Sequence, residues 1–251
     1  MRRFATMVLM VVFAVSSVQA LSFPAASAAS CPSTANHDWV GAQWTASSAI
    51  GVRAPVQMRK TGTVCTTQGS QEPDQDSDWI AIVGGSYIVQ AGTIHLYNDA
   101  LSASQYCRFW AIGTRTVHKY GCGTDSGGTY IYFRVHLVNA YYGYYYDVDD
   151  CGTGGGYSSC VTKNSSQQEL SSPTGFARAE TSYGGSNCTS RIMGSSSLPA
   201  NMGTSSHAIE WQTAVAGSWG TKSLSGYSQS GCSQYAYVKT NSIVSTWDGR
   251  N

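Results

Sequence analysis

Apolar residues fall in short β-prone runs along the chain, a few alternating with polar positions, and glycine, aspartate or asparagine bounds them. Such runs with turn residues at their ends predict strands. Gly51 to Met58, Trp79 to Val83, Tyr87 to Ala91 and Thr93 to Tyr97 are of this kind. The strongest strand is Thr129 to Val138, rich in aromatic and β-branched residues, followed by Tyr141 to Val148 with Asn139-Ala140 as the hairpin corner. Gly175 to Thr181, His207 to Thr213 and Tyr235 to Val238 are later strands, and Ser182 to Ser206 reads as a long surface loop around Cys188. No window repeats its apolar residues at helical spacing, and neither a linker nor an internal repeat interrupts the pattern. Many short strands in one unit predict an all-β fold: a single-domain antiparallel β-sandwich, jelly-roll or concanavalin-like, over residues 29–251.

The N-terminus breaks the pattern. Arg2 and Arg3 precede an apolar stretch from Met7 to Val15, too short to span a bilayer as a mature helix. Residues 1–28 therefore read as a signal peptide, with cleavage after Ala20 in Val18-Gln19-Ala20 or after Ala28 in Ala26-Ser27-Ala28. The residues after Arg2-Arg3 fit twin-arginine export poorly, and Ala28-Ala29-Ser30 lacks the large apolar residue that usually precedes a lipid-anchored cysteine such as Cys31. No second apolar run is long enough to cross a membrane. The expectation is a secreted, extracellular protein, monomeric and free of the membrane once the signal is cleaved.

Charge and cysteine content sharpen this. Without Arg2 and Arg3 the 15 basic residues become 13, against 14 acidic ones, so no basic surplus is present for nucleic acid or anionic lipid. All eight cysteines follow the signal segment, and an even count in an oxidising compartment reads as disulfides. No Cys-x-x-Cys pair points to a metal. The preferred pairing joins sequence neighbours: 31–65, 107–122, 151–160 and 188–232. The case for Cys151–Cys160 is the most direct, because these two flank the Gly-rich segment Gly152 to Ser159.

Candidate chemistry is spread along the chain. Trp39-Val40-Gly41-Ala42 comes first, then Gly51 to Val56, then Trp79-Ile80-Ala81-Ile82 leading into Ile88-Val89-Gln90-Ala91-Gly92, and last Ala179-Glu180. In order and spacing this series resembles the glutamic peptidases (eqolisins) and, more distantly, the neprosin-like proteins. The resemblance implies a sandwich of two antiparallel sheets with the site on a concave face. It implies Gln90 as the catalytic glutamine, Glu180 as the catalytic glutamate and Trp79 as a tryptophan lining the site. Trp39, from the early element, and Trp110, in Tyr106-Cys107-Arg108-Phe109-Trp110, join Trp79 as candidate substrate-binding residues. The implied reaction is hydrolysis of a protein or peptide substrate without a cofactor or metal. Glu180 activates a water as general base, the Gln90 amide stabilises the oxyanion, and acidic pH suits the carboxylate. Three features depart from the family: Thr181-Ser182-Tyr183 replaces the apolar and acidic run expected after the glutamate, the Tyr/Trp/Glu-rich strand expected soon after the glutamine strand is only echoed by Tyr106-Cys107-Arg108-Phe109-Trp110, and the segment Thr61 to Asp78 differs from the family's loop.

Rival features need weighing. The glutamates are Glu72, Glu169, Glu180 and Glu210, of which only Glu210, in His207-Ala208-Ile209-Glu210-Trp211, shares a strand-like setting with Glu180. Gly123-Thr124-Asp125-Ser126-Gly127-Gly128 resembles the nucleophile segment of chymotrypsin-like proteases. His37, His95 and His118 lack the matching histidine context, so a Gly-rich turn explains the segment more simply. Asp147-Val148-Asp149-Asp150-Cys151-Gly152 lacks the spacing of a calcium loop and reads as turn-forming aspartates. Asn164-Ser165-Ser166 and Asn187-Cys188-Thr189 match the glycosylation sequon. A second functional class stays open: a non-catalytic extracellular sandwich that binds polysaccharide or protein through the tyrosine-rich strand Tyr141 to Tyr146.

Overall fold

The alternation seen in the sequence becomes two layers in the computed structural model, which describes residues 35–45, 48–59, 75–98, 103–113, 117–123, 128–140, 143–166, 170–184, 192–229, 232–239 and 242–250. In chain order the strands are β1 (Ala35–Trp44), β2 (Gly51–Gln57), β3 (Gln75–Gly84), β4 (Tyr87–Asn98), β5 (Ala103–Gly113), β6 (His118–Gly123), β7 (Tyr130–Ala140) and β8 (Gly143–Asp150). The second half adds β9 (Val161–Ser166), β10 (Thr174–Gly184), β11 (Ala200–Met202), β12 (Glu210–Gln212), β13 (Ser225–Gln229), β14 (Gln234–Lys239) and β15 (Ile243–Asp248). The first sheet runs β13-β1-β10-β3-β4-β5-β6 and the second β14-β15-β11-β2-β7-β8-β9, with β12 also on β2. Neighbours pair antiparallel in both, so the fold is the antiparallel β-sandwich that the sequence predicts.

The core lies where the inward residues of both sheets meet. Ile80, Ile82, Val89 and Ala91 of the first sheet pack on Val52, Val56, Phe133 and Val135 of the second, all at 2% exposure or less. Successive residues on a strand face opposite sides, so the residues between these positions point out of the sandwich. One large side chain is admitted by a missing one: a Cβ on Gly175 of β10 would lie 1.9 Å from the Trp211 ring, which is itself 1% exposed.

Several boundaries move. Tyr87 to Ala91 and Thr93 to Tyr97 form one continuous strand, β4, because Gly92 stays in register opposite Trp79. Asn139-Ala140 is strand rather than hairpin corner, since Asn139 pairs with Tyr144 and Ala140 with Gly143. The expected loop from Ser182 contains the end of β10 and the whole of β11. Of His207 to Thr213 only β12 is strand. Disulfides Cys107–Cys122 and Cys151–Cys160 match the expected pairing. Cys232 is disulfide-bonded, but the pairings proposed for Cys31, Cys65 and Cys188, the signal peptide and Ser126 lie outside the described residues. Among the described residues no helix is long and apolar enough to cross a membrane.

Candidate active site

The outer face of the first sheet carries Trp39, Trp79, Gln90 and Glu180, four of the residues that the sequence singled out, in three rows fixed by register. The middle row crosses six strands as Tyr227, Gly41, Arg178, Trp79, Gly92 and Phe109. On one side of it lies Trp39, Glu180, Ser77 and Ile94. On the other lies Gln43, Phe176, Ala81, Gln90 and Ala111.

The glycines of the middle row have a steric reason. A Cβ on Gly92 would sit 2.1 Å from the Asp78 carbonyl oxygen and 2.7 Å from Trp79 Cα, and one on Gly41 would sit 2.2 Å from the Ala177 carbonyl oxygen. Neither position has room for a side chain, so the large groups beside them, Tyr227, Arg178, Trp79 and Phe109, occupy the face above. Trp79, Ala81, Ile94, Phe109 and Phe176 then form a second apolar cluster outside the main core.

Glu180 stands at the margin of that cluster, half-buried, and Trp79 Nε1 donates a 3.0 Å hydrogen bond to its Oε2. The bond suits both partners. It satisfies an indole N–H that would otherwise be buried without a partner, and it orients the carboxyl group. Trp39 is the cross-strand neighbour of Glu180. Two residues back on β10, the Arg178 guanidinium lies 3.6 Å from the Phe176 ring centre, 4.1 Å from that of Tyr227, and 5.7 Å from those of Trp39 and Trp79. Burial lowers the Arg178 pKa to about 10, against the upward pull of Tyr227 and Glu180. Nothing in the motif series pointed to Arg178. The signal was the alternation Phe176-Ala177-Arg178-Ala179-Glu180, which puts it on the same face as Glu180.

Gln90 shares this face but not this place. Glu180 faces Ser77 and Gln90 faces Ala81 across β3, which separates their Cα atoms by about 16 Å at ordinary sheet dimensions. Two side chains of that length do not meet over such a gap. The residues across β3 from Gln90 and Gly92 are Phe176 and Arg178, and the Gln90 Oε1 is buried with no hydrogen-bond partner among the described residues. Trp110 is corrected as well. It pairs with Ala91, so it faces inward, packs on the main core and stacks on His118 at 3.9 Å. Trp39 and Trp79 are therefore the candidate tryptophans that flank Glu180.

No protein-family model and no curated protein matches the chain. Among solved structures, the chain is similar to a crystal structure of scytalido-glutamic peptidase with a transition state analog inhibitor. The match covers 86% of this chain and 100% of that one at 13% identity, with a TM-score of 0.47. A likeness at that level decides nothing about the chemistry.

The competing glutamate sits on the other sheet. Arg53 Nε donates to Glu210 Oε2 at 2.7 Å, on the outer face of β2 and β12. Close by, Asp149 accepts from Arg134 Nε at 2.7 Å and from the Thr162 hydroxyl at 2.7 Å, and lies 3.1 Å from His136 Nε2. Burial opposes the charge of Asp149, but the hydrogen bonds from His136, Thr162 and Arg134 hold its pKa below the usual value. The ligand atoms of His136, Asp147 and Asp149 lie within 4.8 Å of one another. Asp149 is already spent on an arginine there, which disfavours a cation. Of the tyrosine-rich strand, Tyr146 points into the core at 2% exposure and Tyr145 is half-buried. The side chains of Tyr141, Tyr142 and Tyr144 lie outside the description.

A second acidic pair faces the interior. Asp76 Oδ2 lies 3.0 Å from His95 Nδ1, and Asp78 accepts from the Thr246 hydroxyl at 3.2 Å. Burial and the nearby Asp76 charge push the Asp78 pKa well above the usual value, against the hydrogen bond from Thr246.

Proposed function

We propose that the protein is a secreted endopeptidase that hydrolyses peptide bonds at acidic pH on the outer face of its first sheet, with Glu180 as general base. The observation that carries this reading is the Trp79–Glu180 hydrogen bond, which fixes a carboxyl group beside aromatic side chains. A water held by Glu180 gives up a proton to it and attacks the scissile carbonyl carbon. The resulting oxyanion is stabilised by the positive charge of Arg178, which the surrounding rings hold near Glu180 without replacing its charge. Glu180 then passes the proton to the leaving nitrogen as the carbon–nitrogen bond breaks. Trp39, Phe176 and Tyr227 offer apolar surface to the side chains of an extended substrate. Gln90 stands outside this step because of its distance from Glu180.

That same distance favours one alternative, a non-catalytic extracellular module that binds polysaccharide or protein. The deciding experiment is digestion of denatured casein by the purified protein between about pH 2 and 8, with serine-protease and pepstatin-type inhibitors as controls. Acid cleavage that resists both inhibitors supports the peptidase. A folded protein that cleaves at no pH, yet is retained on insoluble polysaccharide, supports the module.

A further inference from the structure

On the outer face of the second sheet, Arg53 of β2 and Arg134 of β7 stand directly opposite one another. Like charges at opposed positions weaken strand pairing. Each cation is balanced from its far side, Arg53 by Glu210 and Arg134 by Asp149, and in both cases only through Nε. The Nη groups of both have no partner among the described residues. An arginine ordinarily offers these donors to a second oxygen in a forked pair. Both side chains remain partly open, at 21% and 24% exposure.

Two loops wall this pair. Tyr157 comes from the loop that the Cys151–Cys160 disulfide closes, and Trp219 from the segment after β12. The Arg53 guanidinium carbon is 4.5 Å from the Tyr157 ring centre and 4.8 Å from that of Trp219, which holds the fork in place. The Tyr157 hydroxyl is buried with no hydrogen-bond partner among the described residues. Burial raises its pKa, and the charged groups that act on it are Arg53, Glu210 and Arg134, with Tyr132 beside them. An orphaned buried donor is costly unless something accepts from it. Glu210 and Asp149 each give one oxygen to an Nε, so the arginine Nη groups stay as unspent donors near the Tyr157 hydroxyl.

We propose that Arg53, Arg134 and Tyr157 form a binding site for a carboxylate, carried by a free organic acid or by the uronate of an acidic sugar. The two carboxylate oxygens take Nη donors from both arginines, and the Tyr157 hydroxyl donates to one of them. A singly charged planar anion suits the site better than phosphate, because Glu210 and Asp149 already offset both cations. The site lies on the opposite sheet from Glu180, so it neither needs nor tests the peptidase reading.

The test is calorimetric titration of the full secreted chain with acetate, trigalacturonate, neutral maltotriose and inorganic phosphate, repeated on Tyr157→Phe and Arg134→Gln. Saturable binding of acetate or trigalacturonate, absent with maltotriose, is expected. It weakens about tenfold in Tyr157→Phe and is lost in Arg134→Gln. Trigalacturonate binding at least tenfold tighter than acetate identifies a sugar acid, and equal binding identifies a free carboxylate. If Arg134→Gln fails to fold, Tyr157→Phe still decides, because it removes only an atom that the fold leaves unbonded. No saturable carboxylate binding, carboxylate binding unchanged in Tyr157→Phe, or phosphate binding alone would overturn the proposal.

Discussion

The outer faces of the two sheets treat charge in opposite ways. On the second, charges meet charges: Arg53 meets Glu210, and Arg134 meets Asp149. On the first, an indole N–H donates to Glu180, and Arg178 lies among aromatic rings with Glu180 near enough to pull its pKa upward. Matched pairs on the second face join neighbouring strands, β2 to β12 and β7 to β8. The proposed peptidase reading puts the reaction on the first face, where aromatic groups surround the ionisable ones.

The largest effect should separate the faces outright. Glu180→Gln keeps shape and a hydrogen-bond acceptor but removes the base, so casein cleavage should fall by about 10²- to 10⁴-fold with the melting temperature unchanged. On the second face, Asp149→Ala strands Arg134 at a site where Asp149 is 1% exposed, and should cost about 3 kcal/mol in urea unfolding while cleavage by the folded fraction persists. An intermediate effect falls on the glycine row. In Gly92→Ala the new Cβ meets the Asp78 carbonyl oxygen, which should cost about 2 kcal/mol and also depress cleavage by displacing Trp79. Loss of stability without loss of specific activity would show that Trp79 does not position Glu180.

The smallest effects are in pH dependence. Asp149 has a lowered pKa in the fold, so its stabilisation is present above the ordinary aspartate range and is lost as pH falls through the lowered value. The buried Asp78 has the opposite sign. Its raised pKa means that the fold holds a proton the unfolded chain releases, so stability is full below the ordinary aspartate value and declines as pH rises through the raised one. Urea midpoints of Asp149→Asn should converge on wild type in acid, and those of Asp78→Asn should lack the wild-type decline towards neutral pH. Parallel curves for both variants would contradict these assignments.

The layers were legible because β-prone runs bounded by turn residues stand out, and in Phe133-Arg134-Val135-His136 the alternation matches burial residue by residue. Among the strands missed, β1, β5, β11, β13 and β15 included, two were of another kind. β9, Val161–Ser166, and β6, His118–Gly123, are edge strands whose side chains are mostly exposed, so neither shows an apolar face. Side-chain parity places residues on a face but carries no register. Gln90 and Glu180 share the outer face, yet nothing local to either says that their levels on β3 are offset by four residues. Trp110 was misread for a related reason. It stands next to Phe109 in sequence, but its neighbour occupies the outer face and it occupies the inner one.

The most direct test of the central claim is to compare initial rates of acid casein cleavage by Glu180→Gln and Gln90→Ala, each against wild type and each confirmed as folded. The account predicts a loss of about 10²-fold or more for Glu180→Gln and less than about tenfold for Gln90→Ala. Equal, large losses in both would mean that the two residues act as one unit, and would contradict a site built on Glu180, Trp79 and Arg178.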